Sequence, residues 1–72
     1  MNKYTIEYKD PNGLSKLTVN AEGKNWQSAN RQARSILTEE NDNRLHGYDL
    51  WSVTMWWPTH KPIIAYGKRI VF

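Results

Sequence analysis

Apolar and polar residues alternate from Lys3 to Lys9, with Tyr4, Ile6 and Tyr8 on one parity and Thr5, Glu7 and Lys9 on the other. A period of two marks a strand with one wet face. Asp10-Pro11-Asn12-Gly13 comes next. Asp suits the first position of a turn, Pro presets φ at the second, and Gly13 supplies the left-handed conformation that closes a hairpin. Alternation resumes from Leu14 to Asn20, where Leu17 and Val19 oppose Lys16 and Thr18.

After Ala21-Glu22-Gly23-Lys24 the period lengthens from two to about 3.6. Asn25 is placed as an N-cap, its side-chain oxygen accepting a bond from an orphan N–H of the first turn. Trp26, Ala29, Ala33, Ile36 and Leu37 then fall within an arc of roughly 100°, the stripe of a helix lying on a sheet. The two alanines let the helix axis come close. Gln27, Arg31, Arg34 and Thr38 form the opposite, polar stripe, and the helix is expected to fray by Glu39 or Glu40. The polar stretch from Glu40 to Gly47, with Asn41 and Asn43, reads as a connecting loop.

Tyr48 to Trp57 makes the longest strand candidate, with Trp51, Val53 and Met55 on one parity and Leu50, Ser52, Thr54 and Trp56 on the other. Pro58 stops it, and Thr59-His60-Lys61 completes a turn. Pro62 to Tyr66 makes a short strand, Gly67-Lys68 a Gly-first two-residue turn, and Arg69 to Phe72 a last strand. The order β-β-α-β-β-β with short connections predicts an α+β fold, in which a single helix packs on one face of a four- or five-stranded antiparallel sheet.

One helix covers one face, yet the last three strands carry bulky apolar groups on both parities. Trp51, Val53, Met55, Ile63, Ala65, Ile70 and Phe72 are expected to meet the helix. Trp56, Ile64, Tyr66 and Val71 are then expected to point outward beside Lys16 and Arg69. Exposed apolar patches of this kind mark interaction sites. A homodimer seam is an alternative use of the same patch.

Composition sharpens this picture. With 72 residues there is one domain and a small core, so stability is limited. There is no Cys, and His46 and His60 sit in separate predicted loops, which leaves neither a disulfide nor a metal site to staple the fold. No cofactor is expected. The four Trp, four Tyr and one Phe are many for so small a core. No segment has the length of a membrane span, and no apolar run follows Met1, so a cytoplasmic location is expected.

The formal charge of +3 and pI of about 9.4 favour acidic partners or nucleic acid without demanding either. Arg31 and Arg34, three residues apart on the helix, repel each other and gain from a partner's phosphate or carboxylate. Lys68 and Arg69 form a second basic point at a hairpin tip. Catalysis has little support, for there is no Ser-centred elbow, no phosphate-binding Gly loop and no Cys nucleophile. His60 beside Lys61 is the one feature compatible with a small basic ribonuclease.

The run Leu17-Thr18-Val19-Asn20-Ala21-Glu22, followed by a helix carrying Ala29, Ala33 and Ile36, resembles small phage-encoded proteins. The ending Ala65-Tyr66-Gly67-Lys68-Arg69 with Val71 is similar to the tail of small type I-F anti-CRISPR proteins. That resemblance implies a stoichiometric inhibitor, working in the cytoplasm of a bacterial host, that docks on a CRISPR surveillance complex and stops guide RNA from pairing with target DNA. Lys68 and Arg69 are the basic residues it carries over, while Gln27, Arg31 and Arg34 come from the helical wheel and Trp56 and Tyr66 from the strand parity. Two alternatives stand beside it: a module that binds nucleic acid directly through exposed aromatics and Lys or Arg, and a homodimeric phage accessory protein.

Overall fold

A computed structural model describes residues 1–40 and 47–70. The predicted loop residues 41–46, including His46, and the predicted strand residues Val71 and Phe72 lie outside the described residues. Strands β1 (Asn2–Lys9) and β2 (Lys16–Gly23) precede helix α1 (Trp26–Glu40), and β3 (Asp49–Trp57), β4 (Lys61–Ala65) and β5 (Lys68–Arg69) follow it. All five strands join one antiparallel sheet in the order β2-β1-β3-β4-β5. The α+β architecture expected from the alternation is therefore the one observed.

The β1–β2 hairpin closes as its turn residues dictate. Gly13 has a φ of 71° and donates its N–H to the Asp10 carbonyl at 3.0 Å. The Asp10 carboxylate accepts from the Leu14 N–H at 3.1 Å and the Ser15 hydroxyl at 3.0 Å. Some desolvation pushes the Asp10 carboxyl upward, but these bonds and those from Asn12 and Gly13 outweigh it and hold the group below its usual range.

Helix α1 starts where Asn25 caps it, the side-chain oxygen accepting the Ser28 N–H at 2.9 Å. Ala29 and Ala33 are fully buried and Leu37 nearly so, which brings the helix axis down onto β2 and β1. Gly23 marks the closest approach, since a Cβ there would lie 2.7 Å from the Ala29 nitrogen and 2.9 Å from the Ser28 Cβ. Among the described residues the helix thus packs mainly on β2 and, to a lesser extent, on β1.

Under the helix lie Tyr4, Ile6, Tyr8, Ala21, Val53 and Ile64, with Leu17, Val19, Leu50, Met55 and Ile63 packed around them. A buried Tyr needs a partner for its hydroxyl. Tyr8 donates to the Asn30 side-chain oxygen, and Tyr4 accepts from the Asn2 amide at 3.2 Å. Burial pushes the Tyr8 phenol up to about 12, against the opposing pull of the Arg34 guanidinium, so it stays a neutral donor at ordinary pH.

Strand β3 departs from the simple alternation. Against β1, Glu7 faces Ser52 and Tyr8 faces Leu50, so Trp51 is an extra residue; Lys3 faces Trp57 and Tyr4 faces Met55, so Trp56 is another. Against β4, Val53 faces Ile64 and Thr54 faces Pro62, which makes Ile63 a third. Each β-bulge shifts the parity by one. Three expectations fall with it. Trp51 leaves the helix side while Leu50 comes to face Tyr8, Ile64 is buried rather than outward-facing, and Ala65, the next residue, falls on the outer side instead of meeting the helix.

The last hairpin is also shifted by one residue. Ile64 pairs with Arg69 and Ala65 with Lys68, so Tyr66 and Gly67 form the turn instead of Gly67 and Lys68. Both turn residues have positive φ, 55° and 74°, as a type I′ turn requires. Arg69, opposite the buried Ile64, lies on the helix side and not on the outer face where it was expected.

Candidate binding face

The face of the sheet turned away from the helix carries the side chains that alternate with the core. Lys3, Thr5, Glu7 and Lys9 of β1 stand there, flanked by Lys16, Thr18, Asn20 and Glu22 of β2. On the other flank β3 presents Trp57, Thr54, Ser52 and Asp49. The two bulge indoles, Trp56 and Trp51, join them.

Two aromatic stations result, one at each end of β1. At the first, the Lys3 ammonium lies 5.5 Å from the centre of the Trp56 ring and 5.7 Å from that of Trp57. These indoles are 44% and 50% exposed, far above what a core residue retains. At the second, the Lys9 ammonium sits 4.0 Å from the Trp51 ring, and Tyr66 meets that indole edge-on at 5.6 Å and 86°. Tyr66 is 77% exposed. Cations over indole faces are favourable, by about 0.5–1 kcal/mol where water reaches them.

The Tyr66 position is held at a cost. A non-Gly residue at positive φ is strained by roughly 1–2 kcal/mol, and such strain concentrates at functional sites. Two contacts retain it: the edge-on packing on Trp51, and the Gly67 N–H bond to the Trp51 carbonyl at 2.8 Å. A cleft of about 520 Å³ opens beside this station, between the β1–β2 turn and the start of β3, with Lys9, Asp49 and Trp51 in its walls.

Between the stations the face is polar. Ser52 donates to the Glu7 carboxylate at 3.0 Å, Lys16 approaches the same carboxylate at 4.0 Å, and Thr5 donates to the Asn20 side-chain oxygen at 2.9 Å. Lys3 and Lys9 are six residues apart along β1, so the stations are separated by about 20 Å at the usual rise of a strand.

The seven residues singled out from the sequence do not come together. Trp56, Tyr66 and Lys68 belong to the open face. Gln27, Arg31 and Arg34 are exposed on the helix, on the other side of the molecule, and Arg34 lies 5.7 Å from the Tyr8 ring, where it helps cover the core. Arg69 lines a separate groove on the helix side with Tyr4, Trp26 and Met55. Lys3, Lys9, Trp51 and Trp57 were missed. The adjacent pair Trp56-Trp57 was the available signal, because strict alternation cannot bury one indole without exposing the other.

His60 is exposed in the turn between β3 and β4, and among the described residues no group of three or more His, Cys, Asp or Glu side chains is placed to hold a metal ion. No helix among the described residues is long and apolar enough to cross a membrane. Compared with known proteins, the chain matches no family model, no curated protein and no solved structure.

Proposed function

We propose that this chain is a non-catalytic binding module whose working surface is the open face of the sheet. Its target, on the resemblance of its C-terminal hairpin to type I-F anti-CRISPR proteins, is a CRISPR surveillance complex of the bacterial host. Occupying that complex blocks target DNA recognition. The observation that carries the reading is the outward delivery of Trp51 and Trp57 by two bulges in β3, next to the exposed Trp56 and Tyr66. A fold of this size gains from burying every indole it has, since its core supplies only a few kcal/mol. Four aromatics left on the uncovered face are better explained by a partner that buries them.

Capture of a purified type I-F surveillance complex on immobilised protein tests the reading. Wild type is expected to retain the complex, and Trp56→Ala with Trp57→Ala to lose it by at least about tenfold, the size of effect expected for aromatic anchors. Arg31→Gln with Arg34→Gln, on the helix, is expected to retain it. Retention by the Trp double variant and loss by the Arg double variant would move the working surface to the helix.

A further inference from the structure

We infer that what the open face grips within its target is single-stranded nucleic acid; this rests on the open face being the working surface. The pattern of the face favours it over a protein epitope. Protein interfaces place aromatic anchors in a central, desolvated patch and surround them with a polar rim. Here the order is reversed. Trp56 and Trp57 lie at one end and Trp51 and Tyr66 at the other, while Thr5, Glu7, Ser52 and Thr54 make a polar strip between them. Separated flat rings joined by a polar floor match a strand whose bases stack at intervals and whose sugar-phosphate backbone crosses the gap. The span of about 20 Å suits a site of about four nucleotides, the low end for single-strand binding domains.

The cations are placed for the same task. Lys3 and Lys9 lie over indole faces in the free protein. An ammonium on a flexible four-carbon stem swings from a ring face to a phosphate when a base takes the ring. Lys68, paired with Ala65 on the outer face beside Tyr66, adds a third. Acids share the surface: Glu22 faces Lys3 across the β1–β2 ladder, Asp49 faces Lys9 across β1–β3, and Glu7 lies in the centre, bonded by Ser52 and approached by Lys16. With Lys3, Lys9, Lys16 and Lys68 set against Glu7, Glu22 and Asp49, the excess of positive charge is small, and stacking must supply most of the affinity. Two consequences separate this site from an ordinary basic patch. Salt dependence is shallow, and duplexes, whose bases are already stacked on each other, bind poorly.

Fluorescence anisotropy with labelled oligothymidylate, oligouridylate and a duplex of the same length tests the inference. Single strands are expected to bind at least about tenfold more tightly than the duplex, because stacking needs an unstacked base. The slope of log affinity against log salt is expected near −2, from about 0.7 for each of three phosphates contacted. Trp57→Ala or Trp56→Ala is expected to weaken binding by about 10- to 100-fold, the loss of one stacked base. Lys3→Gln and Lys9→Gln should each make the slope shallower by about 0.7. These variants change exposed or partly exposed side chains, and unchanged far-ultraviolet circular dichroism verifies that each has folded.

Equal affinity for duplex and single strand, or a steep slope untouched by the Trp variants, overturns the inference. So does the absence of oligonucleotide binding by wild type. If the Trp double variant still loses the surveillance complex in that last case, the open face remains a protein-docking surface and only the nucleic-acid inference fails. If oligonucleotides bind as expected but the complex is not captured, the inference holds and the named assembly is wrong.

Discussion

The two faces of this sheet are made from the same strands and follow opposite rules. On the helix side, Tyr4, Ile6, Tyr8 and Val53 are fully or almost fully enclosed, and the tyrosine hydroxyls are hydrogen-bonded. On the open side, Trp56, Trp57 and Tyr66 keep about half or more of their surface in water, and lysines lie over indole faces. Hydrophobicity alone does not separate the two sets, since Trp and Tyr occur on both. Shape does: the residues that fit beneath a helix carrying Ala29 and Ala33 are enclosed, and those that β3 bulges away from it are not.

The difference predicts that substitutions on the two faces divide stability from binding. Ile6→Ala should remove about 2–5 kcal/mol, which approaches the whole stability of a domain this small, and leave the chain largely unfolded by circular dichroism at 25 °C. Trp57→Ala on the open face should change the stability read from urea unfolding by less than about 1 kcal/mol while it weakens oligonucleotide binding by about 10- to 100-fold. A Trp57→Ala chain that unfolds would place that indole in the core and end the contrast.

Where β2 meets the helix, Gly23→Ala is expected to lower stability by about 1–3 kcal/mol, through overpacking against Ala29 and Ser28, and to leave oligonucleotide binding by the folded fraction intact. Thermal melting reads the first effect and anisotropy below the melting range reads the second.

Alkaline pH tests the covered face through Tyr8. Its phenol ionises near 10 in the unfolded chain and near 12 in the folded one, so unfolding releases a proton between those values. Its contribution to stability is therefore complete below pH 10 and lost as pH rises toward 12. About 1 kcal/mol should be gone by pH 11. Urea titrations of wild type and Tyr8→Phe at pH 9 and pH 11 isolate it, since the difference between the two chains should shrink by that amount at the higher pH. An unchanged difference would mean that Tyr8 is less enclosed than described.

The smallest expected change in stability is at Tyr66. Tyr66→Asn relieves the positive-φ strain, which Asn tolerates, but removes the edge-on contact with Trp51. The two effects are of similar size, so stability should move by less than about 1 kcal/mol in either direction. Binding should still weaken, because the exposed ring is gone. Full binding by Tyr66→Asn would show that the strained ring has no part in the open face.

Much of the covered face was legible from local pattern. Tyr4, Ile6 and Tyr8 repeat at the period of a strand, Ala29, Ala33 and Leu37 at that of a helix, and Asn25 was the one residue placed to cap. The open face was legible only in part. Trp56 and Tyr66 were expected outward, and they are. Trp51 was expected inward because it shares parity with Val53 and Met55, and the bulge opposite Glu7 and Tyr8 overrode that count. The helix residues Arg31 and Arg34 are cationic like the lysines of the open face, but they and Gln27 lie on the wrong side of the sheet to join it.

By itself, then, the order of residues determined the elements, the class of fold and one side of the sheet, because periodicity and capping are set by neighbours within a few positions. Which indoles turn outward, and which lysines meet them, was decided only when β3 was laid against both β1 and β4. A bulge is a compromise between the registers of two partners far away in the chain, and no local pattern of residues contains it.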